Sequence, residues 1–156
     1  MITPRFALIL PLVLILGCPP TPGSGNPDDE DCPELSYVGA GGAPTTFDVE
    51  GLLLGIDLLY PEYEGGSRFV LVDARPSSDF ALHTIEGAIS IPYYIAAECA
   101  ATLPPDEWIV TFCACPHSLS TQAANHFIEA GHSKVKVLDE GYLEWRERGY
   151  PTTNLP

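Results

Sequence analysis

Four short apolar runs punctuate the chain, and helical patterns fill the gaps between them. The runs are FVLV (69–72), AISI (88–91), WIVTF (108–112) and VKVL (135–138). The first and third are almost continuous in apolar, β-branched and aromatic residues, a composition that suits strands covered on both faces. Helical periodicity is read over 47–59, with Thr46 as its cap, and over 78–83, 93–101, 120–130 and 142–148. Within 120–130, Ala123, Ala124, Phe127 and Ile128 share one face, while Gln122, Asn125, His126 and Glu129 share the solvated other. Gly131 stands where such a helix stops. Strands alternating with helices in this way predict an α/β fold, a small doubly wound domain with a central parallel sheet and helices on both faces.

Open sheets of that kind bind ligands beyond the carboxyl ends of their strands. The stretch FCACPHSLS (112–120) occupies such a place, directly after WIVT and ahead of the helical pattern, with Ser120 as the expected cap. Cys113, Ala114, Cys115, Pro116, His117, Ser118, Leu119 and Ser120 would curl their backbone toward a common point beside a helix N-terminus, where negative charge is favoured. A cysteine in such a setting is biased toward thiolate, the nucleophilic form. The loop reads as a cradle for an anion with a sulfur nucleophile at its base. The plainer reading is a buried cysteine packed at a strand end.

The N-terminus reads as an export signal. A short basic start leads into the apolar stretch 6–16, too short for a bilayer span of about 20 residues, and then into Gly17-Cys18. The sequence ILGC resembles the lipobox of bacterial lipoproteins, although Leu16 is bulkier than the residue usual there. On this reading 1–17 is a signal peptide, Cys18 takes the lipid, 18–44 is a tether rich in Pro, Gly and acid, and 45–156 is one domain. The protein would sit at the periplasmic side of the inner membrane or at the outer membrane. A net charge of −14 argues against nucleic acid as a partner. Export also implies an oxidising compartment, where cysteines pair. With Cys18 lipidated, Cys32, Cys99, Cys113 and Cys115 allow three connectivities, of which Cys32 with Cys99 leaves the loop thiols unbridged.

Over roughly 45–151 the chain resembles the rhodanese family of single-domain sulfurtransferases. The matching pieces come in the family's order: Val72-Asp73-Ala74-Arg75, His83 with Ile85, Gly87-Ala88 and Pro92, then Cys113, Ala123-Ala124, Val137-Leu138, Gly141 with Trp145, and Gly149-Tyr150-Pro151. The resemblance implies the rhodanese fold and makes Cys113 the catalytic residue. Its thiolate would take a sulfane sulfur from a donor such as thiosulfate, hold it as a persulfide and yield it to cyanide or a thiol, with no cofactor or metal. It also implies that Asp73 and Arg75 brace the fold near the site; Trp145 and Tyr150 read as core and lid residues, and His83 as capping or hydrogen-bonding within its turn.

The chain departs from that family in several places. The loop is one residue longer than the common six-residue version, a length also seen in the phosphatases that share the fold. Leu119 stands where many members carry the arginine that those phosphatases need to hold phosphate, which argues against phosphatase or arsenate reductase activity. Glu140 replaces the first glycine of the usual pair, and Thr84 is inserted between His83 and Ile85. His117 is either a stand-in for the missing positive charge, a donor to substrate, or an exposed loop histidine. Cys115 lines the pocket, resolves a disulfide with Cys113, or pairs elsewhere. Beside sulfur transfer stand a thiol redox role for Cys113 and Cys115, a soft-metal site built from Cys113, Cys115 and His117, and a silent partner-binding domain.

Overall fold

The computed structural model describes residues 30–114 and 117–153. The export signal and Cys18, and within the loop Cys115 and Pro116, lie outside the described residues. In chain order the elements are β1 (Leu53–Leu54), α1 (Ile56–Glu64), β2 (Val70–Asp73), α2 (Ser77–Leu82), β3 (Thr84–Ile85), β4 (Ile89–Ser90), α3 (Ala96–Cys99) with a 3-10 turn (Ala100–Thr102), β5 (Ile109–Phe112), α4 (Ser118–Glu129), β6 (Val135–Leu138), α5 (Gly141–Glu147) and β7 (Thr152–Thr153). Five strands form one parallel sheet in the order β1-β6-β5-β2-β4, while β3 and β7 form a small antiparallel pair. This is the α/β architecture that the alternation of runs predicts.

Because successive strand residues point to opposite faces, the sheet carries two cores. Val70, Val72, Ile109, Val135 and Val137 pack on one face with Ala96 and Cys99 of α3 and with Ala123, Ala124 and Phe127 of α4. Leu71, Val110, Phe112 and Leu138 pack on the other with Ile56 and Leu59 of α1 and with Tyr142 and Trp145 of α5. Strand β5, buried at every position, lies in the middle of the sheet between β2 and β6. Its carboxyl end is therefore walled by neighbours on both sides.

Several expectations are corrected. The stretch 47–59 is not one helix. Gly51 sits at φ +83°, a left-handed turn that interrupts the helical path, Leu53 and Leu54 pair with Val137 and Leu138, and the helix starts only after Gly55. Thr46 is no cap; its hydroxyl donates to the carbonyl of Leu58. The stretch 93–101 shortens to α3 and its 3-10 turn. In α4 the buried stripe is Ser120, Ala123, Ala124 and Phe127, and Ile128 is 45% exposed.

The compact unit begins at Asp31, ahead of the boundary at 45 that composition suggests. Val38 N–H donates to Phe69 O, Gly41 N–H to Gly66 O, and Arg68 lies over the Tyr37 ring. Cys32 is joined to Cys99 of α3 by a disulfide that links positions 67 residues apart. Of the three connectivities open in the sequence, this is the one in which Cys32 meets Cys99.

Candidate active site

Strand β5 delivers Cys113 to the carboxyl edge of the sheet, where it is 3% exposed. Its Sγ lies 3.3 Å from Oγ of Ser120, a fully buried residue in the first turn of α4. Ser120 is held in turn from below, since the Thr111 hydroxyl of β5 donates to its carbonyl at 2.9 Å. The expected cap thus proves to be an internal residue of the helix whose hydroxyl faces the sulfur. Helix α4 starts at Ser118, and the position before it is His117. Among the described residues His117 is the one non-glycine with positive φ, at +51°.

The other side of Cys113 is fixed by α5. Tyr142 N–H donates to the Cys113 carbonyl at 2.8 Å and Leu143 N–H to the Ala114 carbonyl at 3.2 Å. A helix N-terminus has amides with no partner inside the helix, and here they hold the start of the loop. Gly141 allows the approach: it sits at φ +76°, and a Cβ there would lie 2.8 Å from the Cys113 oxygen.

Tyr142 is itself clamped. Its ring stacks on His83 at 5.1 Å between centroids, and the Arg75 guanidinium lies 4.5 Å over it. Arg75 is buried and donates Nε and Nη2 to Asp73, with Nη2 also reaching the His83 carbonyl at 2.7 Å. Burial works against the Arg75 charge, but the hydrogen bonds and the negative charge of Asp73 outweigh it and raise its pKa. The inserted Thr84 supplies one more donor, its hydroxyl 2.8 Å from Asp73 Oδ2. Asp73 and Arg75 thus form a buried ion pair that braces the helix holding Cys113.

His117 Nε2 lies 2.7 Å from Oδ1 of Asp139, the residue directly after β6, whose amide is anchored to the Leu54 carbonyl. Both side chains are part-exposed. Sequence reasoning singled out His117 and missed Asp139, although its place just past the VKVL run puts it at the same edge of the sheet. Ala114 and Leu119 are half-buried and Ser118 is exposed. Among the described residues no three His, Cys, Asp or Glu side chains gather as a metal site.

The rhodanese-like domain family matches the chain over residues 59–148. The chain belongs to that family. It is similar to the HTH-type transcriptional regulator Rv0324 of Mycobacterium tuberculosis, 37% identical over 81 residues. That match takes in 52% of this chain but only 36% of the regulator's length. The crystal structure of the Alr3790 protein from Anabaena is similar with a TM-score of 0.61 at 26% identity, over 65% of this chain and 80% of that one. The human single-domain sulfurtransferase TSTD1 shares the fold, with a TM-score of 0.56 at 24% identity over 63% of this chain and 97% of that one.

Within the rhodanese-like domain the departures find local reasons. Glu140, at the place of the first glycine of the pair, accepts the Ile56 amide on Oε2 at 2.8 Å and so caps α1 from across the sheet edge. Only the second glycine has to approach the loop. Trp145 is fully buried and donates Nε1–H to the Pro151 carbonyl, and Tyr150 stacks on Tyr60.

Proposed function

We propose that this protein is a sulfurtransferase that carries a sulfane sulfur on Cys113. The observation that carries the reading is the seat of the Cys113 sulfur: the carboxyl end of the middle strand, facing a buried hydroxyl in the first turn of a twelve-residue helix. A thiolate there attacks the outer sulfur of a donor. A sulfur–sulfur bond forms to Cys113 as the donor's own bond to that sulfur breaks, and the electron pair departs with the leaving group, sulfite when the donor is thiosulfate. Cyanide or an acceptor thiolate then attacks the outer sulfur, and Cys113 leaves as thiolate. The protein ends each cycle unchanged in oxidation state.

The surroundings suit both steps. The Ser120 hydroxyl is placed to donate to sulfur, and the positive end of α4 steadies negative charge on the sulfur in both steps. Bonds from Tyr142 and Leu143 hold the loop so that little reorganisation is needed when charge appears. Ala114, Cys115, Pro116, His117, Ser118 and Leu119 complete the substrate-binding loop on this reading.

We also propose that the chain is exported and anchored through lipid on Cys18, as the ILGC sequence suggests. The Cys32–Cys99 disulfide supports an oxidising compartment, since such bridges persist outside the cytosol.

The test is the intact mass of the reduced protein after exposure to a sulfane donor, beside Cys113→Ser and Cys115→Ser. Gain of one sulfur that needs Cys113 and is removed by cyanide supports the proposal. Loss of two hydrogens that needs both cysteines would replace it with thiol redox chemistry.

A further inference from the structure

The charge around the Cys113 loop bears on which donors it takes, given the sulfurtransferase reading above. Thiosulfate is a dianion, and a site that selects it gains from a fixed cation, as an arginine in the loop would provide. Here Leu119 occupies that place. His117 does not restore the charge. With one ring proton the His117–Asp139 pair carries net negative charge, and with two it is neutral, so neither protonation state yields a net cation.

Among the described residues, every Lys and Arg except Arg146 has a carboxylate or carbonyl partner. Arg68 pairs with Glu107, Arg75 with Asp73, and Arg148 with Asp57 and Glu144. Lys134 donates to the Asp106 carbonyl, and Lys136 to those of Val49 and Gly51. Arg146 lies toward the Tyr142 ring, 5.8 Å from its centroid. The only Lys or Arg outside the described residues is Arg5, and the whole chain stands at −14.

The pair is also a built feature. His117 holds a left-handed backbone that non-glycine residues avoid, at the residue where the loop enters α4. The carboxylate that holds its ring stands on the end of β6, with the Asp139 amide bonded to Leu54. We propose that this loop is built for persulfide donors, which react as the uncharged R–S–SH form, over the thiosulfate dianion, and that Asp139 is the positioning residue that sets the preference by holding and neutralising His117. In the loading step the Cys113 thiolate attacks the outer sulfur of R–S–SH. The new bond forms as the donor's sulfur–sulfur bond breaks, R–S⁻ departs with the electron pair, and the proton stays on the Cys113 persulfide.

The experiment measures rates of Cys113 loading, as a function of donor concentration, with thiosulfate and with the persulfide of 2-mercaptoethanol. Wild type, Asp139→Asn, Asp139→Glu and Leu119→Arg are compared, with folding of each checked by its thermal transition. The donors differ in intrinsic reactivity, so the ratio of their efficiencies is read across variants. Asp139→Asn and Leu119→Arg should each move that ratio about tenfold toward thiosulfate, through a lower KM for thiosulfate, and Asp139→Glu should keep the wild-type ratio. High salt should lower the thiosulfate KM in wild type, because it screens repulsion. A ratio unmoved in folded Asp139→Asn and Leu119→Arg overturns the preference while leaving sulfur transfer intact. No loading from either donor, in protein whose Cys113 still alkylates, overturns the sulfurtransferase reading and the preference with it.

Discussion

The amide of Tyr142 donates to the carbonyl of Cys113 at 2.8 Å, so the first turn of α5 holds the residue directly after β5. The bond is short in space and long in sequence. It joins the loop to a helix whose own anchor is the buried pair of Asp73 and Arg75.

Gly141→Ala tests that contact directly. A methyl group would stand 2.8 Å from the Cys113 oxygen at a backbone angle that alanine disfavours, so the loop has to move. We expect a stability loss of about 1–3 kcal/mol and sulfur loading slowed at least about tenfold, the second effect arising from misplacement of the nucleophile. Urea denaturation and intact-mass kinetics separate the two.

Ser120→Ala removes the hydroxyl 3.3 Å from the Cys113 sulfur and leaves the helix to form. The expected cost to stability is about 1 kcal/mol, and loading should slow by about tenfold or more if the hydroxyl steadies the charged sulfur. A variant that loads at the wild-type rate would remove Ser120 from the chemistry.

Asp73→Ala leaves the Arg75 guanidinium buried without its carboxylate, and the loss should be about 3–5 kcal/mol. Thermal melts read this loss. Because Arg75 also covers Tyr142, protein that remains folded should load sulfur more slowly than wild type.

Reduction of Cys32–Cys99 frees a loop whose ends lie 67 residues apart in the chain, which corresponds to about 4 kcal/mol in the chain-entropy picture. Urea curves of Cys32→Ser with Cys99→Ser should shift to lower midpoint by that order.

Glu62 gives the fold an acid sensitivity of its own. Burial pushes its pKa up, but hydrogen bonds from Ser67, Thr45 and Thr46 prevail and bring it from 4.5 down to about 2. A lowered carboxyl stabilises the fold fully above about pH 4.5, and the contribution fades as the pH falls toward about 2. The gap in thermal midpoint between wild type and Glu62→Gln should therefore narrow across that interval.

The strands were legible as short runs rich in apolar and β-branched residues, almost continuous through β2 and β5 and broken only by Lys136 in β6. The two-residue strand β1 was not, because the pairing of Leu53 and Leu54 with β6 is a tertiary event and the local pattern around them reads as helix. Cys113 stood out by its place between a run and a helix. The roles of Ser120, Glu140 and Asp139 were hidden for a common reason. Each acts on a partner from another element, the first on a sulfur at a strand end, the second on the amide of Ile56, the third on a loop histidine. A pattern read along one element carries no trace of such contacts.

On the proposed sulfurtransferase reading the disulfide has a further meaning. Thiols, cyanide and persulfides are nucleophiles toward any sulfur–sulfur bond, so a domain bathed in them risks losing its own cross-link. Cys99 is fully buried and Cys32 is half-covered against the same face of the sheet, so such reagents gain little access to the Cys99 sulfur. On that reading the small domain holds two kinds of sulfur–sulfur bond at once, one on Cys113 that is turned over in each cycle and one whose Cys99 end is buried away from the traffic.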